Sequence, residues 1–294
     1  MRSGRSSPRH PDKNRDTPLR CKQGPNLEKT MSQQNDAPLE DNQQPPFPTV
    51  RDVPASAPLR WVARGLADFK SCPIPSLFYG FCFTGMGLLI TFVFEHAYEY
   101  TSALTSGFLL LGPFLAMGLY EISRRRELGE GCSLAPTLTV WRRNAGNIGI
   151  FAVVLGIVFL VWARASLVIF ALFYTNEMPN LSGFLEQVLS LQNAEFLGVY
   201  FGIGLIFATI VFAASVVSIP LMLDRNQDAI SSMLASVGAL TRNPAAMIVW
   251  ALLIAGLTLL GFLSFHLGLV VTMPIVGHAT WHAYRDLVEP LPGR

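Results

Sequence analysis

Charge is what this sequence lacks. Only 14% of its 294 residues are Asp, Glu, Lys or Arg, and 51% are hydrophobic, where a soluble protein carries about 25% charged residues. That shortage excludes an ordinary soluble domain. A basic surface is missing too: residues 1–30 hold eight of the 22 Lys and Arg and three of the 20 Asp and Glu, leaving the rest net acidic. A nucleic-acid partner is therefore not expected. Cysteine is scarce, and Cys21, Cys72, Cys82 and Cys132 form no CxxC pair and have no His at zinc-like spacing, which leaves structural or incidental thiols. There is no hydrolase elbow, phosphate loop, HExxH or dinucleotide fingerprint, and the polar loops are too short to house a catalytic domain. The chain is not expected to be an enzyme or to carry a cofactor.

Residues 1–55 are rich in Ser, Pro, Asn, Gln and charge and are expected to be a disordered cytoplasmic tail. They contain no apolar centre of the kind a cleavable signal peptide needs. Met31 is an alternative start, which would leave residues 1–30 untranslated.

Beyond the tail, residues 56–289 read as one membrane domain. Apolar runs predict six spans, at about Leu77–Phe94, Ala103–Ile122, Ile148–Tyr174, Phe196–Leu223, Ala245–Ser264 and Phe265–Tyr284. The last two must be separate, because 40 residues of continuous helix would measure about 60 Å, twice a bilayer core. A tight hairpin is expected between them. The loops at 95–102 and 175–195 hold Glu95, Glu99, Glu177, Glu186 and Glu195 but no Lys or Arg. The alternate side holds Arg124, Arg125, Arg126, Arg142, Arg143, Arg225, Arg242 and Arg285. By the positive-inside rule both termini are cytoplasmic. Trp61, Tyr120, Trp141, Trp281 and Tyr284 fall at the same ends, where amphipathic rings settle. The acidic loop contains LSGFLEQVLSLQ, expected as a short helix on the outer surface.

A unit occurs three times. LRWVARGLADFKSCP places Val62, Leu66 and Phe69 on one stripe, SLAPTLTVWRRNA does so with Leu134, Leu138 and Trp141, and SSMLASVGALTRNP with Met233, Val237 and Leu240. Each predicts an amphipathic helix on the cytoplasmic leaflet that feeds a hairpin of two spans. The second span of each hairpin carries a proline: Pro113, Pro220 and Pro274. Counted from it, Glu121, Asp228 and His282 lie at an offset of eight, Met117, Asp224 and His278 at four, and Arg124 and Arg285 at eleven. The fold class is thus all-α: six spans as three hairpins, each with an interfacial helix.

GFLLLGPFLAMGLYEISRRRELGE, TVWRRNAGN, SIPLMLDR and GHATWHAYRDLVE resemble a proteobacterial integral-membrane family, domain of unknown function 2189, over about Pro58 to Glu289. The resemblance implies an inner-membrane protein and supplies no reaction or catalytic residues.

The candidate sites are few. GHATWHAYRD stacks His278 and His282 four apart on one helical face, a spacing that also suits the polar end of a span. His266 is about 18 Å away along a continuous helix, so a self-contained metal site lacks ligands. The histidines matter chemically if Glu121, Asp224 or Asp228 converge on them at the cytoplasmic mouth, as a divalent-cation or proton site. Pro113, Pro220 and Pro274 can kink their spans for gating or packing. Arg164 stands inside an apolar run about 24 Å across from Ile148, where snorkelling to the outer headgroups accounts for it. Gly112, Gly198 and Gly202 read as close-packing positions. The leading functional expectation is a structural, assembly or regulatory membrane protein, in contact with the lipid bilayer and with a membrane-protein partner or a second copy. A small-solute or ion transporter or channel is the alternative, and a haem or metal protein of the respiratory membrane is weaker still.

Overall fold

The computed structural model describes residues 48–96, 101–173 and 194–290. All its regular elements are helical. They are α1 (Ala57–Ser71), α2 (Pro73–His96), α3 (Thr101–Glu127), a 3-10 helix η1 (Ala135–Asn144), α4 (Ala145–Phe173), α5 (Ala194–Ser215), α6 (Ser218–Arg225), α7 (Ala229–Arg242), α8 (Pro244–Leu263) and α9 (Leu269–Leu287). A short helix followed by two long ones thus recurs, with α5 and α6 together forming the second arm of the middle unit. Prolines stand at the openings of α1, α2, η1 and α8, positions whose amide has no helical acceptor to lose.

Four stretches are long and apolar enough to cross a membrane: Pro73–Val93, Ala135–Phe173, Ala194–Arg225 and Pro244–Leu263. The sequence reading named six. α9 falls outside this set for a physical reason, since it spends polar residues on protein instead of lipid, whereas the side chains of the first half of α3 lie outside the described residues. From Pro274 to Tyr284 every residue of α9 is buried, His278, Thr280 and His282 included. α9 is the central helix, packed against α1, α2, α3 and α8. The outer faces are the reverse of a soluble protein's: Ile74, Leu172, Leu205 and Leu252 are 67–79% exposed, a surface that only hydrocarbon covers without cost.

The three short helices are amphipathic and pack on the bundle through their small and polar side. α1 buries Ala57, Trp61, Gly65 and Asp68, and α7 buries Ala229, Ser232, Ala235, Ser236 and Ala239. η1 buries Thr137, Val140 and Asn144 while Leu138 and Trp141 face out. Small and polar side chains allow close approach to the bundle, and the oily stripe is left outward or half-buried.

Small residues also set the long-helix contacts, but at other positions than expected. A Cβ on Gly112, Gly198 or Gly202 would meet nothing within 4 Å, so the packing role assigned to them is wrong. The close approaches are at Gly65, where a Cβ would lie 2.7 Å from the Ala279 amide nitrogen and the Ile275 carbonyl, and at Gly80, Gly118 and Gly277. Pro274, inside α9, leaves the Val270 carbonyl without its usual amide. Gly80 of α2 packs on that same carbonyl, where any Cβ would overlap it.

The hairpin between α8 and α9 is as tight as its length requires. Phe265 and His266 both adopt positive φ (55° and 66°), an uncommon conformation for such residues. Thr84 of α2 donates to the His266 carbonyl at 3.2 Å, and Thr91 lies 3.3 Å from its Nε2. At the opposite end the chain entering α1 is tied down. Val50 bridges Val288, the Arg51 amide donates to the Leu287 carbonyl at 2.7 Å, and Asn243 binds both Arg51 and Val53. The tail expected to run disordered to residue 55 is therefore anchored from Thr49 onward, because Asn243, between α7 and α8, offers it a donor and an acceptor. The rest of the tail and the LSGFLEQVLSLQ segment lie outside the described residues. Cys72 and Cys132 form a disulfide. Sequence distance concealed that pairing; the packing of α2 on α3 supplies it.

Candidate functional site

The C-terminal half of α9 carries its polar residues into the interior, and each meets a partner from another helix. His278, wholly buried, lies between two hydroxyls: Ser76 Oγ is 2.9 Å from Nε2 and Ser123 Oγ is 2.8 Å from Nδ1. Ser123 donates its single proton to Asp68 Oδ2 at 2.5 Å. His278 Nδ1 then donates to Ser123, while Ser76 Oγ also donates to the Cys72 carbonyl at 2.7 Å and so has its single proton claimed by two acceptor positions. One turn on, His282 Nε2 sits 2.9 Å from Asp68 Oδ2, while Arg126 pairs with Oδ1. Burial pushes the Asp68 carboxyl up, but the hydrogen bonds from His282 and Ser123 outweigh it, holding the group below its ordinary value. The row ends at the surface, with His282 Nδ1 3.8 Å from Glu127 and Glu127 3.2 Å from Arg285.

A second set lies beside it. Glu121, 1% exposed, receives both arms of the Arg143 guanidinium at 2.8 Å and is 3.4 Å from Arg124. Asp224 lies 3.5 Å from Arg124 Nε and 3.8 Å from Arg285, accepts from Tyr284 Oη at 2.7 Å, and Arg225 donates to that same hydroxyl at 3.1 Å. One carboxylate of the middle unit is thereby held between an arginine of the first and an arginine of the third.

Of the residues named from sequence, His278, His282, Glu121 and Asp224 come to this end of the bundle, but in two sets: the histidines face Asp68 and Glu127, and Glu121 and Asp224 face arginines. Asp228 is apart. α6 ends at Arg225, and Asn226 at a φ of 52° turns the chain, so the offset-of-eight position leaves the bundle. Asp228 instead accepts from the Ser231 amide at 2.8 Å and caps α7. Those Ser231 bonds hold its carboxyl low. Pro113 lies inside the continuous α3, Pro220 in the first turn of α6 just past the Val216–Val217 break, and Arg164 is exposed on α4. His266 is at the far hairpin.

The residues sequence reasoning missed are Asp68, Ser76, Ser123, Arg126 and Arg143. A signal for Asp68 was present: Trp61, Gly65, Asp68 and Cys72 share one face of α1 at i, i+4, i+7 and i+11, one residue round from the stripe Val62, Leu66 and Phe69.

Chemically, the arrangement neutralises charge. Both His278 nitrogens are engaged, and a metal would have to displace them. Among the described residues no group of three or more His, Cys, Asp or Glu is placed to hold an ion. Trp61 Nε1 and Arg64 fasten Asp286 at 2.8 and 2.9 Å, closing the end of α9 onto α1.

No curated protein and no solved structure matches the chain. Residues 101–224, from the start of α3 to Asp224, match the model of a family described as Predicted integral membrane protein (DUF2189), so the chain is similar over this part to an integral membrane protein family of unknown function.

Proposed function

We propose that this is a six-span protein of the bacterial inner membrane, with both termini in the cytoplasm and a structural, assembly or regulatory role instead of an enzymatic one. α3 and α9 are read as the two further spans. At about 1.5 Å per residue their 27 and 19 residues measure about 40 and 28 Å, near a bilayer core. α9 also runs from the hairpin at Phe265 back to α1, covering the depth that α8 covers. The three short helices lie at the cytoplasmic interface with their oily faces toward the lipid.

The observation that carries the functional reading is the fate of the charges at the cytoplasmic end. Asp68, Glu121 and Asp224 are each spent on arginines from neighbouring helices. A carrier coupled to protons or cations keeps a carboxylate facing an aqueous path near mid-depth; here the carboxylates serve as clasps between units. Purified protein in liposomes is expected to pass no more H+, Na+ or K+ than protein-free liposomes. A flux that is lost on Asp224→Asn would overturn this reading in favour of a transporter or channel.

A further inference from the structure

The α4–α5 hairpin packs on η1, α6 and α7 at its cytoplasmic end, and between it and α3, α8 and α9 lies a cavity of about 1140 Å³. Its walls are almost wholly apolar. α4 contributes Ala152 through Trp162, α5 contributes Gly204 through Ser215, and Trp250 and Val276 stand opposite. The polar groups are few: Ser215, Tyr120 and Thr280, next to the clasped charges, and the indole N–H groups of Trp162 and Trp250, the latter buried without a partner. Ser215 and Thr280 spend their hydroxyl protons on the carbonyls four residues back. Nothing here recognises a charged or richly polar solute.

The cleft is open along one side, where Val153, Ile157 and Leu160 of its wall are 56–63% exposed. It is larger than the sites of about 300–1,000 Å³ that hold drug-sized ligands, and an apolar cavity neither keeps water nor leaves its lining in contact. In a bilayer the available filler is hydrocarbon. The cleft also has a length: Ala152 to Trp162 and Gly204 to Ser215 each span about 15 Å of helix, half of a ~30 Å core, and counted from Ile148 the α4 wall runs from about 6 to about 21 Å, across the middle of the core. We propose that the cleft is a specific lipid site, occupied by an acyl chain of a phospholipid, which joins the middle hairpin to the rest of the bundle. Two glycines mark its walls, because a Cβ at Gly112 or Gly156 meets no atom within 4 Å. Gly204 makes the room for Trp162, whose ring a Cβ there would approach to 3.3 Å.

The proposal rests on the six-span placement, so maleimide labelling of cysteines at positions 99 and 290 is read on the same preparation; correct sidedness with no lipid retained counts against the cleft alone. The full chain is reconstituted in phosphatidylethanolamine–phosphatidylglycerol vesicles containing a phospholipid with a photoactivatable acyl chain, cross-linked, and stripped in detergent. About one phospholipid per chain is expected to survive stripping in native mass spectra, with cross-links on Val158, Phe207 or Val211. Gly156→Leu and Gly112→Leu place a side chain in the cleft and suit a helix better than glycine does. They are expected to lower retention and cleft cross-linking at least fivefold without lowering the Tm. Equal retention by wild type and variants, cross-links confined to outward residues such as Leu172 and Leu252, or a lipid-free dimer cross-linked through the cleft would each overturn the proposal.

Discussion

Asp68 is the residue on which the charged end of the bundle turns. Its two oxygens receive Ser123, His282 and Arg126 from two different helices, and it is 1% exposed. Removing one member of such a buried pair leaves the others uncompensated, at about 3–5 kcal/mol. Asp68→Ala is expected to lose that much in thermal or denaturant unfolding followed by tryptophan fluorescence in detergent. The acid limb carries a sign. Because the folded carboxyl titrates below its ordinary value, its stabilisation is complete above the unfolded value of about 3.9 and is lost as the pH falls through the lower folded value. The Tm of the wild type should therefore drop on acidification below about pH 4, and Asp68→Asn should be less stable at neutral pH and flatter in that window. His278 and His282 were legible in the sequence as a pair, and their four-residue stacking holds. Their partner was not, because nothing in a linear reading distinguishes an acid on the buried side of a short amphipathic helix from one in solvent. The oily stripe Val62, Leu66, Phe69 lies one residue further round the same helix and is half-buried. In a membrane protein the outward face is itself oily, so apolar residues alone do not mark the core.

Helix ends and helix types were far more legible than helix contacts. Six apolar runs became α2, α3, α4, α5 with α6, α8 and α9, with boundaries displaced by up to five residues at their two ends. Length and hydropathy are properties of a single segment and need no knowledge of neighbours. Packing glycines need that knowledge, and the three chosen from sequence stand where a Cβ would meet nothing. The consequence is a pair of opposite expectations. Gly80→Ala forces a methyl into the Val270 carbonyl that Pro274 has left free, and Gly65→Ala forces one against Ile275 and Ala279. Each should cost about 1–3 kcal/mol as overpacking. Gly198→Ala and Gly202→Ala should be neutral or stabilising by about 0.5–1 kcal/mol. Unfolding of the four variants in one detergent separates the two classes. Pro274 thus serves contact between α2 and α9; Pro274→Ala would restore the amide bond to Val270 and is expected to weaken that contact, read as a lower Tm, with no ion flux gained.

At the scale of the whole molecule, the three units meet where Asp224 stands between Arg124 and Arg285. Repetition of a short helix followed by two long ones was visible in the sequence through the proline offsets. The chain departs from it at Asn226, where α6 stops short and Asp228 turns outward to cap α7. Asymmetry of this kind is set by one turn and is invisible to an offset count. The central claim is that α3 and α9 cross the membrane together with the four more apolar stretches, so that all clasped ends share the cytoplasm. Sidedness tests it directly. Single cysteines are placed by Glu99→Cys, Glu130→Cys, Phe265→Cys and Pro290→Cys in a chain whose native cysteines are serine, and labelled with an impermeant maleimide in spheroplasts before and after permeabilisation. Six spans predict labelling of positions 99 and 265 in intact spheroplasts and of 130 and 290 only after permeabilisation. Labelling of 265 and 290, or of 99 and 130, from the same side would contradict it.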